Sequence, residues 1–273
     1  MLGAPRLRHA GVMAYGSELG PIALAHRGGA SLAPENTIAA FSLATALGIR
    51  YLETDVRITA DGELACFHDA TLDRVTDGRG PLARHTLAQL RQLRVLGREP
   101  IPTLTEALEA FPEARFTVDL KERVAIPALT KVLQHKDFRE RVCIAGAWDG
   151  CLDVVRAQVP GVRTALGWRA LAAVVTCARA GMPPARRFAT AEFLHVPDRL
   201  GRVQVFVERL VTGAHGIGVK VVVWTVNDQP SMVRLLDAGV DGIITDRPDL
   251  LREVLVARGQ WTPMTGRVPN PSS

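Results

Sequence analysis

The sequence predicts an α/β fold, a closed (β/α)8 barrel, on three observations. Short β-branched runs alternate with helical stretches along most of the chain, which implies a parallel sheet joined by helical crossovers. One junction is too short for such a crossover and reads as a hairpin, so one strand candidate must run back against its neighbour. Setting that strand aside leaves eight parallel strands with eight helices, the count at which such a sheet closes into a barrel of the TIM type.

In chain order the strand candidates are Ile22 to Ala25, Tyr51 to Val56, Glu63 to Phe67, Phe116 to Leu120, Val142 to Ala145, Val162 to Leu166, Phe193 to Val196, Val221 to Thr225 and Gly242 to Thr245. The helical stretches are Thr37 to Leu47, Thr105 to Phe111, Ile126 to Leu133, Leu152 to Gln158, Leu171 to Ala180, Val205 to Ala214, Ser231 to Ala238 and Pro248 to Ala257. The short junction is Thr59-Ala60-Asp61-Gly62, so Glu63 to Phe67 is the returning strand and stands above the rim where barrel enzymes carry their chemistry. Asp73 to Pro102, rich in Arg and Gly, exceeds a usual βα connection and is expected to form a small cap beside the site. The fold class is therefore a single (β/α)8 TIM-type barrel with an extra antiparallel hairpin and a small insertion after the third strand candidate. Residues 1–20 are expected as an N-terminal extension, 21–259 as the barrel, and 260–273 as a loose tail with three prolines and two terminal serines.

The composition is ordinary for a globular chain: 273 residues, 47% hydrophobic and 22% charged, enough to bury a sizeable core. The first twenty residues scatter Arg6, Arg8 and His9 among Gly and Ala without a continuous apolar stretch, so no signal peptide and a cytoplasmic location are expected. The longest apolar run, Ala170 to Ala178, is closed by Arg169 and Arg179 and suits a core helix, which argues against membrane insertion. Cys66, Cys143, Cys151 and Cys177 form no CxxC pair and sit in apolar stretches, which disfavours disulfides and a zinc site. The net charge of +5 is dispersed, with Arg186-Arg187 the one minor cluster, and aromatics are 5%, so a nucleic-acid partner is not expected.

The chemistry gathers at strand ends. The first strand runs into His26-Arg27-Gly28-Gly29, an imidazole, a fixed cation and a flexible backbone; alone, this is more often structural. Glu53 and Asp55 share one face of a strand and can converge on a hard cation, or stand as an acidic pair neutralised by Arg50 or Arg57. If Leu52 and Val56 pack outward, the carboxylates face into the barrel. The hairpin then brings His68 beside them, and two histidines at one rim can deprotonate an attacking group and protonate a leaving alkoxide. Asp119 and Lys121 likewise share a face, aimed inward if Phe116, Val118 and Leu120 pack outward, and the alternative is a surface pair. Trp224 lines either a substrate pocket or the core. Gly239 to Pro248 reads as turn, strand and helix start.

Together these residues resemble the glycerophosphodiester phosphodiesterase family: His26-Arg27-Gly28, Pro34-Glu35-Asn36-Thr37, Glu53-Thr54-Asp55-Val56, His68-Asp69, Leu72-Asp73-Arg74-Val75-Thr76, Asp119-Leu120-Lys121, Trp224-Thr225-Val226-Asn227 and the Asp241-to-Pro248 stretch. The resemblance spans about residues 22 to 256. It implies a distorted barrel that hydrolyses small-molecule glycerophosphodiesters to glycerol 3-phosphate and an alcohol with a divalent metal, Mg2+ or Ca2+. By position it makes His26 and His68 the acid and base, Glu53, Asp55 and Asp119 the metal ligands, and Arg27 and Lys121 the phosphate-binding cations, beside Trp224 in the substrate pocket. The family's third ligand is usually Glu, where this chain has Asp119. The nucleophile is either water or the glycerol 2-hydroxyl. A related barrel phospholipase, lysophospholipase D-like or phosphoinositide phospholipase C-like, would need a membrane-facing apolar surface, and no loop carries a run of Trp, Phe and Leu to supply one. A catalytically silent binding protein on the same fold is the third reading, and the presence of both histidines and all three carboxylates argues against it.

Overall fold

The computed structural model describes residues 14–17, 20–206 and 208–262. Most of the expected N-terminal extension, at 1–13 and 18–19, and residues 263–273 of the expected tail lie outside the described residues.

The first half of the chain forms β1 (Ile22–Ala25), α1 (Ile38–Ala46), β2 (Tyr51–Ile58), β3 (Leu64–Cys66), α2 (Leu87–Leu90), α3 (Leu104–Ala110), β4 (Arg115–Leu120), α4 (Ile126–Leu133) and α5 (Lys136–Glu140). The second half forms β5 (Val142–Ala145), α6 (Asp149–Gln158), β6 (Arg163–Thr164), α7 (Trp168–Arg179), β7 (Phe193–Pro197), β8 (Arg199–Leu200), β9 (Val203–Gln204), α8 (Glu208–His215), β10 (Lys220–Trp224), α9 (Gln229–Asp237), β11 (Gly242–Thr245) and α10 (Pro248–Ala257). Eight of the strands run parallel in the order β6-β5-β4-β2-β1-β11-β10-β7, a nearly closed barrel. Its seam is held by the parallel bridge Ala165↔Phe193 and by Leu166 N donating to Phe193 O at 2.8 Å. The seam also explains why β6 covers only Arg163–Thr164 of the expected Val162 to Leu166: a strand bridged at one point on its outer side makes little ladder. β3 returns antiparallel along β2 with Val56 opposite Cys66, as the short junction requires. The β8–β9 hairpin was not expected, because two-residue strands are too short to show a period.

Period two sorts the strands' side chains. Leu52, Val56, Phe116, Val118 and Leu120 pack outward in the main core against the helices, which turns Glu53, Asp55 and Asp119 inward. The lower interior is filled by a second cluster that includes Ile22, Leu24, Tyr51, Cys143, Phe193, Val222 and Ile244. Tyr15, from the segment before β1, joins that filling: its hydroxyl lies 2.5 Å from Thr117 Oγ1 and its ring meets Tyr51 and Phe193 edge-on at 5.0 and 5.2 Å. The barrel is thus packed below and open above. The Asp73-to-Pro102 insertion is a cap with its own small core of Phe67, Leu72, Val75, Leu82, Leu90, Val95 and Ile101. Among the described residues no helix is long and apolar enough to cross a membrane.

Candidate active site

Glu53 and Asp55 sit two residues apart on β2 and Asp119 pairs directly with Asp55 on β4, so three carboxylates meet at one point of the ring. One oxygen from each lies within 4.8 Å of the others, and Glu53 and Asp55 are only 5% and 1% exposed. Burial, and next the charge of Asp55, push the Glu53 carboxyl up to about 7, so the cluster is short of positive charge on that side. Burial works the same way on Asp55, but Lys121 and then Arg27 outweigh it and hold Asp55 below the usual carboxylate range. Lys121 Nζ lies 2.8 Å from Asp55 Oδ1 and 2.7 Å from Asp119 Oδ2. An all-oxygen set spanning about twice a hard-cation–oxygen distance suits a divalent ion such as Mg2+ or Ca2+, so this group could hold one. Arg57, one of the two counterions the sequence offered for the acidic pair, instead holds His68 O at 2.8 Å and Glu122 at 3.3 Å.

Each histidine is held by an aspartate through Nδ1. His26 Nδ1 is 2.7 Å from Asp246 Oδ1, and His68 Nδ1 is 2.6 Å from Asp69 Oδ1. A carboxylate at Nδ1 fixes the proton there and leaves Nε2 for other work. In His26 that nitrogen lies 4.0 Å from Glu53 Oε2. Burial opposes a charged His26, yet the Asp246 hydrogen bond and the Glu53 charge together raise its pKa. Asp246 is itself fixed by Asn227, which donates through Nδ2 at 2.8 Å and accepts from Asp246 N at 2.8 Å. Asp69 is fixed by Arg74, whose Nε donates at 2.5 Å and whose fork also grips Glu35 at 2.7 and 2.9 Å. Burial raises the Asp69 carboxyl, but Arg74 and His68 prevail and bring it down to about 2.

Arg27 takes a left-handed backbone conformation at φ 51°, which aims its N–H at Glu53 Oε2, 2.8 Å away. Its guanidinium donates to Glu35 at 3.0 Å, and its Nε lies 3.2 Å from Asp55 Oδ2 without the alignment of a hydrogen bond. Asn36, also left-handed at φ 57°, donates to Asp55 Oδ2 at 2.9 Å and accepts from Thr54 Oγ1 at 2.7 Å, which locks that carboxylate from behind.

A cavity of about 260 Å³ opens above these groups, and all eight residues singled out in the sequence, His26, Arg27, Glu53, Asp55, His68, Asp119, Lys121 and Trp224, line it. Sequence reasoning gave no role to several others. Asp246, Asp69 and Asn227 stood in quoted motifs, and a polar residue just past a strand end was the signal that could have singled out Asp246. His195, on β7, had no signal: its ring borders the cavity, its Nε2 is sealed without a partner among the described residues, and burial drives its pKa down to about 4. Trp148 and Trp168 line the wall that follows β5 and β6, beside Asp119 on β4, with Ala147, Leu166 and Leu171, and are 64% and 41% exposed. An apolar surface at the mouth is therefore present, assembled from two loops where a single run was sought.

Comparison with known proteins bears on this geometry. The model of the glycerophosphoryl diester phosphodiesterase family matches residues 26–250. A probable glycerophosphodiester phosphodiesterase 2 of Mycobacterium tuberculosis is 37% identical over 246 residues, covering 89% of this chain and 93% of its own. A glycerophosphodiester phosphodiesterase of Caldanaerobacter subterraneus is 33% identical over 250 residues, covering 84% and 96%. An Oleispira antarctica phosphodiesterase, solved in complex with the product sn-glycerol-3-phosphate, superposes with a TM-score of 0.73 at 27% identity, covering 87% of this chain and 97% of its own.

Proposed function

Since the chain belongs to the glycerophosphoryl diester phosphodiesterase family and is a phosphoric diester hydrolase, we propose that it cleaves glycerophosphodiesters to sn-glycerol 3-phosphate and an alcohol, using two histidines and a divalent cation. The observation that carries the reading is the convergence on one cavity of two aspartate-held imidazoles and three inward carboxylates. Glu53, Asp55 and Asp119 would hold the cation, Mg2+ or Ca2+. When bound, such an ion supplies charge for the phosphoryl oxygens and lowers the pKa of a hydroxyl nucleophile.

The chain's own groups do the rest. Arg27 and Lys121, each already beside Asp55, present cations to the phosphoryl oxygens. One histidine removes the proton of the attacking hydroxyl through Nε2 and the other returns one to the leaving alkoxide. Trp224 forms the wall beside them. The Oleispira relative's product complex supports the glycerol 3-phosphate half of the assignment. A cytoplasmic location is supported by the thiols, since all four cysteines are free and three are buried.

The test is release of sn-glycerol 3-phosphate from a panel of glycerophosphodiesters with and without chelator. His26→Ala and His68→Ala should each lower turnover at least about 100-fold with native circular dichroism. Retention of more than about a tenth of turnover by either folded variant would remove that histidine from the mechanism. A cyclic glycerophosphate among the products identifies the 2-hydroxyl as nucleophile. The exposed Trp148 and Trp168 favour a second, lysophospholipase D-like reading, to be preferred if lysophosphatidylcholine is turned over faster than glycerophosphocholine.

A further inference from the structure

The wall of the cavity next to Asp119 is built differently from the rest, beginning at Ala145, its direct partner on β5. It comes from the ends of β5 and β6, neighbours in the ring, and its side chains are Ala145, Ala147, Trp148, Leu166, Trp168 and Leu171. Both tryptophans are exposed at levels that packing does not call for. The loops that carry them are stapled together. Trp168 N donates to Ala147 O at 3.1 Å, and the Asp149 carboxylate accepts from Arg169 N and Ala170 N at 3.0 and 3.3 Å. The approach is close enough that a Cβ on Gly167 would stand 2.7 Å from Asp149 N. The two indoles are therefore held at the mouth of the site by a fixed backbone. Among the described residues the cations that stack on rings choose Tyr51, Phe138, Phe188, Phe206 and Trp261, and neither Trp148 nor Trp168 receives one.

We propose that Trp148 and Trp168 form the subsite for the alcohol portion of the diester, and that it takes a quaternary ammonium group such as choline. The inference rests on the diesterase reading above and adds the substrate class. An indole face attracts a cation more strongly than any other aromatic side chain does. Among the described residues, none of the six side chains named on this wall is a carboxylate or amide acceptor, so a primary ammonium or a polyol seated on the indoles would bring N–H or O–H groups that go unpaired as they leave water. A trimethylammonium carries charge but no N–H.

The experiment compares glycerophosphocholine with its neutral isostere, the glycerophosphodiester of 3,3-dimethylbutanol, which keeps the shape and loses the charge. The wild-type protein should favour the choline diester by about tenfold in kcat/KM. The double variant Trp148→Leu/Trp168→Leu should bring the ratio close to one, and Trp148→Phe/Trp168→Phe should retain an intermediate ratio. The ratio is internal to each protein, so a general loss of activity does not move it. A wild-type ratio near one would mean an apolar wall and overturn the proposal, as would a wild-type preference that survives in the leucine double variant. Calorimetric binding of the same two compounds to the intact protein reads the same ratio without turnover, so an absence of hydrolysis counts against the diesterase reading alone.

Discussion

Asp246 and Asp119 are the two residues on which most of the site's chemistry can be tested separately. Asp246 touches His26 Nδ1 at 2.7 Å and is itself held by Asn227, so it sets which imidazole nitrogen carries the proton. Asp246→Asn keeps the shape and loses the charge; if His26 is the proposed acid or base, kcat should fall at least about tenfold with KM little changed, because orientation and tautomer of its ring are lost before substrate contacts are. A variant with wild-type kcat would show that His26 works without its aspartate. Asp119 is one methylene shorter than the glutamate usual at its position, while a hard ion needs oxygens within about 2.0 to 2.6 Å. If water fills the gap, Asp119→Glu should tighten metal binding in calorimetry, and Mg2+, which keeps several waters, should support activity at least as well as Ca2+. Asp119→Ala should weaken binding; unchanged affinity there would take the residue out of the site, and weaker binding in Asp119→Glu would mean a close strand with a direct aspartate.

At the level of elements, the turns behind the strands carry the precision of the site. The β6–α7 turn is the tightest case, since Gly167 packs on the Asp149 backbone and Asp149 in turn supplies acceptors for the first N–H groups of α7. Gly167→Ala should therefore lower stability by about 1 to 3 kcal/mol in denaturant unfolding, through forced displacement of the turn. No change in midpoint would mean that the Asp149 turn yields freely. Arg74 ties the cap to the rim: its guanidinium joins Glu35 and Asp69, and through them Arg27 and His68. The cap was expected from length and composition alone, but that it reaches His68 through an arginine follows from how the insertion folds over β3.

Across the whole molecule, the buried carboxylates make stability depend on pH and on metal. The Glu53 carboxyl lies at about 7 when folded against an ordinary value of 4.5, so between these values the native state holds a proton that the unfolded chain has released. The stability associated with that proton is fully present below the unfolded value and is lost as pH rises through about 7, on the order of 3 kcal/mol. His26, also raised, pulls in the same direction. Metal-free protein should thus unfold at lower temperature at about pH 8 than at about pH 5.5, and Mg2+ should stabilise it more at the higher pH. Glu53→Gln should flatten the metal-free slope. A metal-free stability that rises across this window would contradict the burial of Glu53 as a charged liability.

Much of this protein was legible locally. The alternation of strand and helix, the short Thr59-to-Gly62 junction and the outward Leu52, Val56, Phe116 and Val118 depend on residues close in the chain, and they were enough to give the barrel, to turn Glu53, Asp55 and Asp119 inward and to bring His68 to them. What needed the tertiary structure is every partnership between distant segments. Asp246 meets His26 across 220 residues, Tyr15 meets Thr117 across 102, and Trp148 shares a wall with Trp168 only because β5 and β6 are neighbours in the ring. Local periodicity states which face of a strand a side chain occupies, but height and neighbour around a barrel are set by the register of strands with one another, and that is a property of the closed sheet as a whole.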